Sequence, residues 1–337
     1  MKTAPGPGLS LVEVPVPAPG RSDVLVRVLA GGICGTDLHI YRWDPWARSR
    51  VRPPRVIGHE FCGTVVAVGE AVIGVSVGDR IAGESHIACG WCPRCRHGQA
   101  HICERLEIIG VDRDGAFAEY VVMPATNAWR LDPGIPSEVG AVMDPLGNAV
   151  HTALATELVT RTVLITGCGP IGLMAIPICR MAGAALVVAS DVHPGRLALA
   201  AGLGADAVLD AAAGDVADRV HDLTAGQGAD VVLEMSGHAA GVHDALRAVR
   251  SGGWVGLLVP AGRAGRPRPG QRRDLQGGAA GRHLRTAALA DLGADDRAAA
   301  PRSRYRACDH APPTARPLRG GLRAVGVGRG REGDPDP

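Results

Sequence analysis

Two short stretches carry side chains able to bind and activate a polar bond: Ile33-Cys34-Gly35-Thr36-Asp37-Leu38-His39, and Gly58-His59-Glu60. Cys34, His59 and Glu60 offer a thiolate, an imidazole and a carboxylate, a donor set soft enough for zinc that leaves a position for an oxygen ligand. One thiolate and one neutral imidazole keep such an ion electropositive, so a hydroxyl bound to it ionises near neutral pH. Glu60, and Asp144 in Met143-Asp144-Pro145, could either ligate the ion or tune it from behind. Thr36 and His39 follow Cys34 closely enough in the chain to hand a proton from that oxygen to solvent. Each has an ordinary structural reading too: Thr36 as a turn hydroxyl, His39 as a packed histidine, Asp144 as a helix cap before Pro145.

A second constellation is more compact. Cys89, Cys92, Cys95 and Cys103 are spaced C-x2-C-x2-C-x7-C in a polar segment containing Pro93, Arg94, Arg96, His97 and Gln99. Spacings of two place sulfurs on one side of a knuckle, which suits a structural zinc with four thiolates. An iron–sulfur cluster is the main rival. Four thiolates around a dication make a poor Lewis acid with no open position, so this lobe stabilises and the chemistry lies elsewhere.

A third signal lies downstream. The apolar run Thr162–Thr166 leads into Gly167-Cys168-Gly169-Pro170-Ile171-Gly172 and then an apolar helical stretch. A G-x-G-x-x-G that leaves a strand and opens a helix cradles a pyrophosphate on bare backbone and a helix start. The next apolar run, Leu186–Ser190, ends in Asp191, whose carboxylate would accept from both ribose hydroxyls and repel a 2′-phosphate, favouring NAD over NADP. Arg196 could stack near the adenine, pair with Asp191, or simply be solvated. Further βα units are expected around 207–209, 230–234 and 253–258. Pro177 falls inside the helix after the glycines and is expected to kink it.

These groups need elements to carry them. Residues 9–30 alternate apolar and polar side chains, which predicts short strands, and the pattern continues over 56–82 with glycines suited to the bulges and turns of a small barrel. At 337 residues and 46% hydrophobic, the chain has room for two cored domains. A net charge of +2 suggests no nucleic-acid partner. No long apolar run or charged-then-apolar leader occurs, so a cytoplasmic protein off the membrane is expected. Clustering of the cysteines points to metal, not to disulfides.

At this point the sequence resembles the zinc-dependent medium-chain dehydrogenases from about Leu11 to Pro260. The motifs are Gly58-His59-Glu60-x2-Gly63-x5-Gly69-x2-Val72 and Gly115-Ala116-Phe117-Ala118-Glu119-Tyr120. Within that superfamily it is most similar to the threonine 3-dehydrogenases, through residues 34–46, Gly83-Glu84-x-His86 and Asp144–Leu154. The resemblance implies an α/β architecture, with a GroES-like β-rich catalytic domain over 1–150 and a Rossmann doubly wound parallel sheet over 151–260. It implies catalytic zinc at Cys34, His59 and Glu60, and structural zinc at Cys89, Cys92, Cys95 and Cys103. Thr36 and His39 would relay protons, Asp144 would serve near the zinc, and His86 would shape the pocket. NAD would meet Gly167, Gly169, Ile171, Gly172, Asp191, Arg196 and Leu258. A small amino-alcohol substrate and a homo-oligomer, a tetramer in the family, follow from the same likeness. A polyol or secondary-alcohol substrate, or an inactive zinc-binding remnant, are the other readings.

The resemblance stops near residue 260. Of the seventy-seven residues from Ala261 to Pro337, fifty-two are Arg, Ala, Gly or Pro, and eight are Leu or Val. Such a composition does not supply a packed core. Two readings stay open for this segment: a basic, irregular tail, or a frameshift in a GC-rich gene that replaces the end of the dinucleotide domain.

Overall fold

The computed structural model describes residues 1–258, so the expectations for 261–337 and for the last two residues of the 151–260 domain lie outside the described residues. The chain divides into a compact unit of Met1–His151 and a second that begins at Thr152.

The first unit is built on a five-stranded antiparallel sheet in the order β6-β1-β2-β3-β7. Its strands are β1 (Asp23–Gly32), β2 (Glu60–Val68), β3 (Arg80–Gly83), β6 (Tyr120–Pro124) and β7 (Ala128–Arg130). Val24, Val26, Phe61, Val65, Ile81 and Met123 bury against one another as its core, each worth roughly 1.5–3 kcal/mol. A small pair, β4 (His86–Ile87) with β5 (Glu107–Ile108), closes the base of the cysteine lobe, which holds α3 (Pro93–Arg96). The helices α1 (Gly35–Arg42) and α2 (Pro45–Arg50) lie between β1 and β2 in the chain, and α4 (Ser137–Gly140) and α5 (Met143–Ala153) follow β7.

The strand expected from the alternation at the front of the chain begins only at Asp23. Among the described residues, 9–20 pair with no strand, and Leu11, Val14 and Val16 stand exposed. Pro15, Pro17 and Pro19 remove every second amide donor, so the apolar rhythm survives without the ladder it usually signals. The segment before it folds back instead. Lys2 is 1% exposed; its Nζ donates to the carbonyls of Gly6 and Gly8 and lies 4.8 Å from the centre of the Trp43 ring.

The second unit is a parallel sheet in the order β10-β9-β8-β11-β12. Its elements alternate: β8 (Thr162–Thr166), α6 (Pro170–Met181), β9 (Leu186–Asp191), α7 (Pro194–Gly202), β10 (Ala207–Asp210), α8 (Val216–Leu223), β11 (Ala229–Glu234), α9 (Ala239–Ala248) and β12 (Val249–Leu257). The order reverses between β8 and β11, the switch point of a doubly wound sheet. Helix α6 runs from Pro170 to Met181 through Pro177, with Met174, Ile176 and Ile178 buried on either side of the proline. Packing of that apolar stretch offsets the roughly 3 kcal/mol a helical proline costs. Among the described residues no helix is long and apolar enough to cross a membrane.

Candidate active site and metal centres

Strand register explains how Cys34 meets His59 and Glu60. Gly32 at the end of β1 pairs with Glu60 at the start of β2. Cys34 follows as the residue capping α1. His59 precedes β2, and Gly58 makes the entry turn with φ 94°; a Cβ there would sit 2.7 Å from Cγ of Phe117, so only glycine fits. One donor atom from each of Cys34, His59 and Glu60 lies within 4.8 Å of the others.

The chemistry of this set fits a dication. His59 and Glu60 are buried. Burial pushes the Cys34 thiol up to about 11 and the Glu60 carboxyl up to about 7, with Asp144 adding to the latter. A positive ion relieves this crowding of latent anions. Behind the site, His59 Nδ1 and Asp37 Oδ1 are both buried without a hydrogen-bond partner and lie 3.9 Å apart. Asp37 Oδ2 accepts from the Cys34 amide at 2.9 Å. That arrangement turns Nδ1 of His59 toward Asp37 and leaves Nε2 for metal.

The other site residues fall around this set. Thr36 Oγ1 is 3.8 Å from Cys34 Sγ. His39, on the last turn of α1, meets the Asp44 carboxylate through Nδ1. Asp144, in the first turn of α5, is no helix cap: its Oδ2 accepts from Ser85 Oγ and its Oδ1 from Asn148 at 3.4 Å. His86 donates its amide to Glu84 Oε1 at 2.8 Å, and its Nδ1 lies 2.9 Å from the same oxygen. Burial alone would favour neutral His86, but Glu84 and Asp144 outweigh it and raise its affinity for a proton. Four partners here were not assigned roles from the sequence: Asp37, Asp44, Glu84 and Ser85. An acid at the third helical position after Cys34 is the one signal that could have pointed to Asp37.

The cysteine lobe is closed. Cys92 Sγ is 3.5 Å from Cys95 Sγ and 3.9 Å from Cys103 Sγ. A tetrahedron of Zn–S bonds has sulfur–sulfur edges of about 3.8 Å, so four sulfurs that all lie within 4.8 Å of one another are spaced for one ion and too close together for an iron–sulfur cluster. Backbone amides of Cys92 and Arg105 point at Cys89 and Cys103 sulfurs, at 3.4 and 3.3 Å. Amides of Cys95 and Glu104 pull the Cys92 thiol down to about 6, while burial and the neighbouring Cys92 hold Cys95 up to about 12.

In the second unit the glycine loop follows β8 directly. Gly167 has φ 88°, and a Cβ on it would meet Ser236 Cα at 2.6 Å. Gly169 is the cap of α6, with Ile171 and Gly172 in its first turn. Asp191 ends β9, buried, with one oxygen accepting from the Cys168 amide and the other from His193, both at 2.8 Å. Arg196 Nη1 is 3.6 Å from Asp191, so of its expected roles the structure shows the ion pair. Leu258 closes β12 by donating to the Glu234 carbonyl at 2.9 Å. The bare helix start and the carboxylate thus stand at the same carboxyl edge of the sheet, an arrangement that fits a dinucleotide.

The chain is 53% identical over 262 residues to an L-threonine 3-dehydrogenase from Symbiobacterium thermophilum, covering 78% of this chain and 75% of that protein. It belongs to the zinc-dependent medium-chain dehydrogenases. Another member of the family, an L-threonine 3-dehydrogenase from Pyrococcus horikoshii, is 49% identical over 258 residues, covering 77% of this chain and 74% of its own length. Residues 20–133 match the alcohol dehydrogenase GroES-like domain and 170–262 the zinc-binding dehydrogenase family. A zinc-binding dehydrogenase from Sinorhizobium meliloti, solved bound to NADP, superposes with a TM-score of 0.74 at 37% identity, covering 82% of this chain and 80% of that one. The GroES-like and Rossmann folds, the catalytic and structural zinc, and NAD as cofactor are therefore those of this family.

Proposed function

We propose that this chain oxidises the secondary hydroxyl of L-threonine to 2-amino-3-ketobutyrate. The observation that carries this reading is the convergence of Cys34, His59 and Glu60 on one point in a chain about half identical to L-threonine 3-dehydrogenases. Zinc supplies a Lewis acid that makes the alcohol acidic, and NAD supplies the hydride acceptor.

The rest is done by side chains of this protein. Cys34, His59 and Glu60 hold the metal, with Asp37 fixing the ring of His59. Thr36 accepts the hydroxyl proton as its own passes to His39, which stands at the surface end of α1 and releases a proton to water. Asp144, anchored by Ser85, adds negative charge beside Glu60 without serving as a ligand. His86, braced by Glu84, shapes the pocket for a polar substrate. Residues 1–150 carry these groups, and 151–260 carry NAD on Gly167, Gly169, Ile171, Gly172, Asp191, Arg196 and Leu258. The working form is a cytoplasmic homo-oligomer, a tetramer.

Threonine-dependent NADH formation, followed by absorbance with the purified, zinc-loaded chain, tests the reading. Turnover of butanediol or sorbitol in place of threonine would instead make the chain a polyol or secondary-alcohol dehydrogenase. Zinc near two per chain without turnover or NAD binding would make it an inactive remnant. Light scattering of the same preparation checks the tetramer.

A further inference from the structure

We propose that Asp44 is a positioning residue for proton export, fixing the tautomer and direction of the His39 imidazole; this rests on the relay reading above. The geometry begins with a chain reversal. Helix α1 ends at Arg42, and Trp43 adopts the left-handed conformation with φ 54°. The amide of Trp43 then donates to the Ile40 carbonyl at 3.2 Å, and that of Asp44 to the His39 carbonyl at 3.4 Å. This closes the helix in the manner of a Schellman turn and carries Asp44 back over the residue five positions before it.

A bulky residue in that conformation is unfavourable, and the surroundings hold it there. The Trp43 ring packs with Ile40, Ala47, Val51, Ile57 and Val111 in a buried cluster, and the Lys2 ammonium covers one face. The reversal is therefore built into the core.

Its product is a carboxylate with two duties. Oδ1 of Asp44 accepts from the Ala47 amide at 3.0 Å and caps α2. Oδ2 meets His39 Nδ1. The indole of Trp46 leans against the same imidazole, ring centres 5.9 Å apart and planes at 55°. With Nδ1 committed as a donor to a carboxylate, the lone pair of His39 lies on Nε2. Nε2 accepts the proton and the same proton leaves from Nε2 to water, while Nδ1–H stays bonded to Asp44. Asp44 remains ionised throughout, as a carboxylate behind a general-base histidine does. The His39 and Asp44 side chains are 22% and 29% exposed, so water reaches the pair without dissolving it.

Two substitutions separate this role from helix capping. Asp44→Ser keeps a good cap for α2 but is too short to reach the imidazole. Asp44→Asn keeps the cap through its one carbonyl oxygen, which leaves its NH2 facing Nδ1 and inverts the tautomer. Both are made in the full chain loaded with zinc and NAD, beside His39→Gln. The readouts are kcat, KM for NAD, zinc content, and the tautomer of His39 by nitrogen NMR of histidine-labelled protein, its signal assigned by its loss in His39→Gln. The expected result is a fall in kcat of about 100-fold in all three, with KM for NAD and zinc unchanged. The spectrum of Asp44→Asn should show the proton moved from Nδ1 to Nε2. Wild-type kcat in Asp44→Ser, or an unchanged tautomer in Asp44→Asn, overturns the proposal while a slow His39→Gln leaves the relay standing. Full activity in His39→Gln overturns relay and positioning together.

Discussion

Asp37 Oδ1 faces His59 Nδ1 across 3.9 Å, and among the described residues neither buried atom has a hydrogen-bond partner. The other Asp37 oxygen holds the Cys34 amide at 2.9 Å, so one carboxylate lies against two of the three proposed ligands. Asp37→Ala should weaken zinc binding at that site by about 10–100-fold. Asp37→Asn, which still accepts from Cys34, should lose less. Zinc retained after dialysis against graded chelator measures both. Equal retention in wild type and Asp37→Ala would show that the carboxylate orients nothing.

The cysteine lobe makes a separate prediction because it contains none of the proposed relay groups. Cys103 is buried and accepts from the Cys89 and Arg105 amides, each at 3.3 Å. Cys103→Ser should reduce zinc from two ions per chain to one and lower the thermal midpoint, because binding energy at a structural zinc is folding energy. The surviving zinc would be the one proposed for Cys34, His59 and Glu60. Loss of both ions together, in protein that remains folded by circular dichroism, would mean that the two donor sets are not independent.

What could be read from the sequence were features whose meaning is local. Thr162–Thr166 coincides with β8, and Leu186 to Asp191 with β9, because a buried parallel strand is an unbroken apolar run. The four cysteines declare themselves by spacing alone. Asp37, Asp44, Glu84 and Ser85 do not, since their roles depend on which way a turn carries them. Asp44 reaches His39 only because Trp43 is left-handed, a conformation no propensity assigns to tryptophan. Residues 9–19 mislead for the opposite reason: their alternation is intact, but prolines cancel the hydrogen bonds that would make it a strand.

Asp191 ties the glycine loop to the second strand of its sheet, accepting from the Cys168 amide and from His193. Its charge should also reject a 2′-phosphate. Asp191→Ser removes the charge and keeps a short acceptor. The variant should bind NAD about 10-fold more weakly and discriminate less against NADP, a loss of about 1.4 kcal/mol. Comparing kcat/KM for the two cofactors decides it. An unchanged NAD-to-NADP ratio would remove Asp191 from cofactor selection.

At the opposite edge of that sheet, Asp230 joins three strands. Its Oδ2 accepts from the Thr162 amide at 2.8 Å, while Oδ1 takes Arg250 at 2.6 Å and Arg161 at 3.2 Å. Partial burial works to raise its carboxyl, but the amide and the two guanidinium groups outweigh it and hold it below the ordinary range. A group whose folded pKa is depressed adds stability above its unfolded pKa, and that stability disappears as pH falls through the folded value. Asp230→Asn should therefore cost about 1.5–3 kcal/mol at pH 7. The gap between variant and wild type should begin to close below about pH 4, near the unfolded carboxylate pKa. Urea unfolding of both proteins at a series of pH values reads this directly. A gap that stays constant into acid would assign the effect to packing and not to charge, because only the ionised carboxylate can lose its hold on Arg161 and Arg250 by taking up a proton.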